Sequence, residues 1–153
     1  MPRDATARRR YVGHPRDLPL RFRVIPREFA RAPEAPPEED LGGLRFESLR
    51  TVRPGAMLEV AVRVQGNTLT YRGTVHWVQS LGRRFEIGLR FTDREDAFCA
   101  RMALQACRIE AYRRRRSRRE GRSIGVEEAA QAWIRRYARG FPLLPLEEPA
   151  PVR

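Results

Sequence analysis

Lysine is absent from this chain. All 31 of its Lys and Arg positions are arginine, and with 19 acidic residues they leave a net charge of +12. Arginine carries a planar fork that holds phosphate or carboxylate bidentately, which a lysine ammonium cannot do. The bias suggests an anionic partner, although a genome that prefers arginine codons produces the same composition. Cysteine is scarce too. Cys99 and Cys107 fall in a helical pattern that sets them about 12 Å apart along a helix axis, too far for a disulfide, and a reducing cytoplasm is the expectation. The 2 histidines, His14 and His76, lie far from each other and from the cysteines, so no zinc site is expected. No apolar run approaches the roughly 20 residues of a membrane span. The start MPRDATARRR is too polar for a secretory leader, which again favours a cytoplasmic protein. Catalytic patterns are missing as well. There is no Gly-rich phosphate loop and no GxSxG-like nucleophile turn, and the few serines have no evident base. Glu127 and Glu128 are adjacent at a helix start, where they serve the helix dipole. His76 reads as an exposed structural residue opposite Trp77 on its strand, so a binding role is favoured over an enzyme.

What the chain does carry is alternation. Its 153 residues, 41% of them hydrophobic, suit one compact core with a short appendage. Leu18, Leu20, Phe22 and Val24 share one face of a predicted strand over 18–24. Residues 26–41 (PREFARAPEAPPEEDL) are proline-rich and aperiodic, a long irregular connection. Leu44 and Phe46 begin a short strand, and Leu58, Val60, Val62 and Val64 mark the next. Leu69, Tyr71, Gly73, Val75 and Trp77 share a face, as do Phe85, Ile87, Leu89 and Phe91. Turns at VRPG (52–55), Gly66-Asn67 and Leu81-Gly82 separate these runs. Antiparallel strands in such succession predict a small barrel or sandwich.

The period lengthens after Asp93, which can cap a helix with a stripe of Phe98, Met102, Ala106, Ile109 and Tyr112. That helix is expected to close one end of the β-domain. It ends in RRRRSRR at 113–119, with Gly121 as a stop. Cations are favoured at a helix C-terminus and no aromatic interleaves this run, so a solvated helix end is preferred over a binding patch for nucleic acid or an anionic membrane surface. A second helix follows, with an apolar stripe of Ala130, Trp133, Ile134, Tyr137 and Phe141, expected to pack within the molecule. The reading divides the chain into a basic arm (1–15), a β-domain (16–93), a helical extension (94–141) and a disordered proline-rich tail (142–153).

Four stretches in order carry a further signal: RRYVGHPRDLPLRF (9–22), DLGGLRF (40–46), VRPGAMLEVAV (52–62) with RGTVHWV (72–78), and FEIGLRFTD (85–93). Together they resemble the PilZ domain, a bacterial family of cyclic di-GMP receptors. The resemblance implies a mainly β fold, a six-stranded antiparallel barrel followed by C-terminal α-helices. It also implies a non-enzymatic receptor or adaptor in the control of motility or surface attachment, with cyclic di-GMP as ligand and no metal or other cofactor.

The family's ligand motifs are an RxxxR pair before the first strand and a [DN]xSxxG loop before the next. In register with DLPLRF, the first motif arginine is Arg9 and the second position is Gly13. Arg8, Arg10 and Arg16 flank them. Aligned on its second glycine, the loop EEDLGG places Glu38, Asp40 and Gly43 at the motif positions. The resemblance thus assigns ligand contact to Arg8, Arg9, Arg10, Glu38, Asp40, Gly42 and Gly43. Glu38 can accept from a guanine N1 and N2 edge. Asp40 sets a carboxylate where the family has a hydroxyl, adding repulsion toward phosphate. A protein partner is expected, and a membrane span or nucleic acid is not. The alternative is a degenerate interaction module that binds no nucleotide and works through its helices; a basic nucleic-acid binder is the weaker third reading.

Overall fold

The computed structural model describes residues 11–16, 18–30 and 41–137. Alternation produces the strands. In β4 (Met57–Val64), Leu58, Val60, Val62 and Val64 turn inward to be buried while their neighbours face out. β1 (Tyr11–Gly13), β2 (Leu20–Val24), β3 (Gly43–Ser48), β5 (Asn67–Leu81) and β6 (Arg84–Arg90) join it in one sheet of order β1-β3-β6-β5-β4-β2. The tight hairpin between β4 and β5 turns on Gln65 and Gly66, both at positive φ, the conformation whose twist suits flanking strands.

The expected closed antiparallel barrel does not form; the sheet is mixed and open. β1 runs parallel to β3, whereas the remaining neighbours pair antiparallel. No hairpin links β1 to β3, so no tight turn forces the antiparallel sense. β1 and β2 are the two edges, and residues 14–19 carry the chain from one to the other. Pro15 and Pro19 in that crossover have no amide donors for a closing ladder. The sheet nevertheless curls until side chains meet across the gap. Phe22 of β2 and Phe46 of β3 lie 5.6 Å apart between ring centroids. Arg50 donates to the Phe22 carbonyl at 3.0 Å and sets its guanidinium 4.7 Å from that ring's centroid.

One core fills the concavity, from Val12 and Leu18 through Leu44, Val60, Tyr71, Ile87 and Leu89 to Phe91. β5 departs from strict alternation. A bulge between Val75 and Trp77 shifts its register against β6, so Val78 packs against the core and Trp77 falls opposite Gly88 on the outer face. The expected single face running from Leu69 to Trp77 therefore holds only as far as Val75.

Helix α1 (Arg94–Glu120) starts at Asp93, whose carboxylate accepts from the amides of Glu95 and Asp96, and stops at Gly121 with φ 65°. The face it buries is not the expected one. Ala97, Ala100, Ala103, Leu104, Cys107 and Ala111 meet β5 and β4, while Phe98 and Met102 stay 55% and 37% exposed. Tyr71 and Phe91 already fill the concavity edge to face at 5.8 Å, and small alanine side chains let the helix lie close over them. Cys99 and Cys107 are both free thiols, and burial pushes the Cys107 thiol up to about 12.

Nor is the arginine run simply solvated. Glu110, 4% exposed, accepts from Arg113 at 2.7 and 2.9 Å, from Arg114 at 3.0 Å and from the Gln65 amide at the β4–β5 turn. Arg113 also donates to the Ile124 carbonyl at 3.2 Å, and Arg116 bridges Glu120 at 2.7 Å and Glu128 at 3.3 Å. These ties fold α2 (Val126–Tyr137) back onto α1, burying Ile124, Ala129 and Trp133. Ile134 faces outward at 46%, so it does not belong to the buried stripe. Phe141 and the proline-rich tail lie outside the described residues. Among the described residues, no helix is long and apolar enough to cross a membrane.

Hydrogen bonds from Arg113 in the first place, helped by Gln65 and Arg114, hold the Glu110 carboxyl down at about 2, below its ordinary 4.5. A depressed carboxylate stabilises the fold fully above about pH 4.5 and loses that contribution as pH falls toward 2. The shift corresponds to about 3 kcal/mol at most, reduced by solvent screening at Arg114, which is 44% exposed. Glu110→Gln is therefore less stable than wild type at neutral pH, and the gap between their melting temperatures narrows below pH 4.5; a gap independent of pH refutes the assignment. Trp133→Ala removes a buried aromatic worth about 3 to 5 kcal/mol. It lowers the melting temperature equally at all protein concentrations, whereas a loss of self-association with an unchanged melt counts against intramolecular packing.

A candidate ligand-binding face

The β1–β3 pairing determines which residues meet. Tyr11 lies opposite Gly43 and Gly13 opposite Arg45. Because the strands are parallel, Tyr11 and Gly43 begin neighbouring strands at the same end of the sheet. Arg8, Arg9, Arg10, Glu38 and Asp40 themselves lie outside the described residues. Gly42 and Gly43 lie within them, each glycine for its own reason. Gly42 takes φ 82°, a left-handed conformation costly for other residues, and its carbonyl accepts from the Phe91 amide at 3.2 Å. Gly43 is needed for space, since a Cβ there would stand 2.2 Å from the Tyr11 ring.

That ring is part of an aromatic strap over the outer face. Trp77 lies on Gly88 as Tyr11 lies on Gly43, with the Gly88 Cβ position 2.2 Å from the indole. Tyr11 meets Trp77 edge to face at 5.5 Å, and its hydroxyl shares a hydrogen bond with Nδ1 of His76. His76 was expected on the face opposite Trp77, but the bulge brings both to Tyr11. The indole Nε1 of Trp77 is buried with no hydrogen-bond partner among the described residues. Strand glycines mark close approach, so the glycine of FEIGLRF was the available sign of this strap.

Arg45 forms the second feature of this face. Its side chain turns back across β1, donates from Nε to the Tyr11 carbonyl at 2.9 Å, and lays its guanidinium 3.1 Å from where a Gly13 Cβ would stand. Gly13, where the sequence resemblance sets a second motif arginine, is thus covered by a guanidinium from the neighbouring strand. Beside it, Gly13, His14, Arg16, Glu47, Arg84 and Glu86 help to line a cavity of about 200 Å³. Glu47 pairs with Arg16 at 2.9 Å and with Arg84 at 3.7 Å. Burial lowers the pKa of His14 and favours the neutral ring, whose Nε2 donates to the Leu18 carbonyl at 2.7 Å. A second, larger hollow of about 650 Å³ lies beside His76, Trp77 and Phe85 and has a mostly apolar lining. Among the described residues, no cluster of His, Cys, Asp and Glu could hold a metal ion.

No protein-family model, curated protein or solved structure matches the chain. Gly43→Ala and Gly88→Ala each set a methyl into an occupied ring position, and each is expected to cost about 1 to 3 kcal/mol. Gly43→Ala should also release Tyr11 from Trp77 and change tryptophan emission in the folded protein. Unchanged melting and unchanged emission together would show that the rings do not pack on these glycines.

Proposed function

We propose that the chain is a cytoplasmic, non-catalytic receptor or adaptor of the PilZ type, which binds cyclic di-GMP weakly in the control of bacterial motility or surface attachment. One observation carries this reading. Tyr11 pairs with Gly43 in parallel register, so the strands that follow the arginine-bearing arm and the acidic loop in sequence start from one end of the sheet. A ligand with two phosphates and two guanines has use for both segments. Arginine forks suit its phosphates and base edges, and Glu38 suits the guanine N1 and N2 donors. In this reading a curled, mixed sheet with open edges at β1 and β2 stands where the family has a barrel. Binding orders the arm against the strap of Tyr11 and Trp77, and a partner protein senses the changed surface.

One observation favours the alternative, a module that binds no nucleotide. Phe98 and Met102 stand exposed one turn apart on α1, a small apolar surface that a protein partner can use. The nucleic-acid reading loses ground, because Arg113, Arg114 and Arg116 are committed to Glu110, Glu120 and Glu128.

Calorimetric titration with cyclic di-GMP separates the cases. Weak binding is expected, lost in Arg9→Ala and tightened in Asp40→Ser, where a carboxylate is withdrawn from the phosphates. No heat at saturating ligand favours the interaction module. Tight binding by the wild type that is indifferent to Arg9→Ala overturns the assigned site.

A further inference from the structure

We propose that the cavity between β1, β3 and the crossover at 14–19 is a pocket for a single guanine base, read by Arg45 and Glu47. The proposal rests on the cyclic di-GMP reading for its choice of nucleotide, but its residues lie outside the segments assigned to that ligand.

Three features of the cavity support it. The first is an arginine with capacity to spare. Arg45 spends Nε on the Tyr11 carbonyl, and its two terminal nitrogens have no hydrogen-bond partner among the described residues. They flank the cavity because Gly13 has no side chain to displace them. A fork of this kind matches the O6 and N7 acceptors of guanine. The second feature is charge of both signs. Arg16, Arg45 and Arg84 share the lining with Glu47 and Glu86. A bare phosphate gains from the arginines but is repelled by the carboxylates, whereas guanine presents acceptors on one edge and N1–H and N2–H donors on another. Glu47 receives Arg16 and Arg84, and a carboxylate with about four lone-pair sites can still accept from such donors. Adenine carries an acceptor at N1 and no N2 amine, so it meets Glu47 with repulsion.

The third feature is size and wall chemistry. About 200 Å³ is below the range of pockets that enclose drug-sized ligands, so it admits one base and excludes a whole dinucleotide. Leu18, Leu20 and Phe46 supply apolar surface for a base face, and His14, held neutral by burial, adds no competing charge.

The test is an amide-detected NMR titration of the full chain with GMP, AMP and inorganic phosphate, run beside calorimetry with cyclic di-GMP. GMP is expected to shift Gly13, His14, Arg16, Arg45 and Glu47, with at least about tenfold preference over AMP. Arg45→Met should lose about tenfold or more in GMP affinity, and Glu47→Gln should narrow the preference over AMP while the amide spectrum shows each variant folded. Equal response to GMP, AMP and phosphate reduces the cavity to an anion site and overturns the guanine assignment, as does the absence of any shift with GMP. If cyclic di-GMP binds with the same affinity in wild type, Arg45→Met and Glu47→Gln, the pocket falls and the receptor reading stands. If GMP produces the expected shifts while cyclic di-GMP gives no heat, the pocket stands and the receptor reading falls.

Discussion

Everything in this molecule depends on the curl that brings Phe22 to Phe46. These rings belong to strands separated in the sheet by β6, β5 and β4, yet they touch. A flat sheet would leave Leu44, Leu58, Val60 and Ile87 on an open face, and there is too little helix to cover all of it. Curling lets one sheet supply most of its own core, and α1 closes what is left along β5 and β4. The same curl decides where chemistry can occur. It brings the two edges within reach of the short 14–19 crossover, and the charged cavity lies under that crossover.

Glycine and alanine set the closest approaches. Gly43 and Gly88 let aromatic rings lie directly on backbone, Gly13 does the same for a guanidinium, and the alanines of α1 let a helix settle on Tyr71 and Phe91. In each case a small residue on one element makes room for a large one on its neighbour. Glu110 works by the opposite logic. It is a buried charge whose cost is offset because Gln65, Arg113 and Arg114 converge on it, and in doing so they tie a strand turn to the helix.

The strands with clean alternation were legible in the sequence. β4 and the first part of β5 bury the residues that a period of two selects, and the turns fall close to where glycines mark them. The misses have specific causes. β1 is too short for any period to register, so both its existence and its parallel sense come from tertiary pairing alone. The bulge at His76 adds one residue, which sends Val78 to the core in place of Trp77. On α1, hydrophobicity pointed to Phe98 and Met102, but close packing selected the alanines. At the site, Gly42 and Gly43 stood out as glycines, while Tyr11, Trp77 and Arg45 did not. Nothing in the local pattern says that β1 will lie against β3, and only that contact gives those three residues a common surface.

The brevity of β1 has a kinetic and thermodynamic consequence. Its pairing with β3 joins residues 11–13 to residues 43–45 through three register pairs, supplemented by the Arg45–Tyr11 hydrogen bond, the Tyr11 ring and the buried Val12 side chain. Closing the intervening chain costs entropy that so few contacts barely recover. β1 should therefore be among the last elements to join the sheet and among the first to leave it, with amide protons that exchange through local opening while β4 and β6 remain protected. The buried Trp77 indole Nε1 has no hydrogen-bond partner among the described residues, so ring packing and not an indole hydrogen bond holds it in the strap. The N-terminal strand should therefore open at a lower free energy than the core unfolds, which gives a ligand that touches it a local equilibrium to act on.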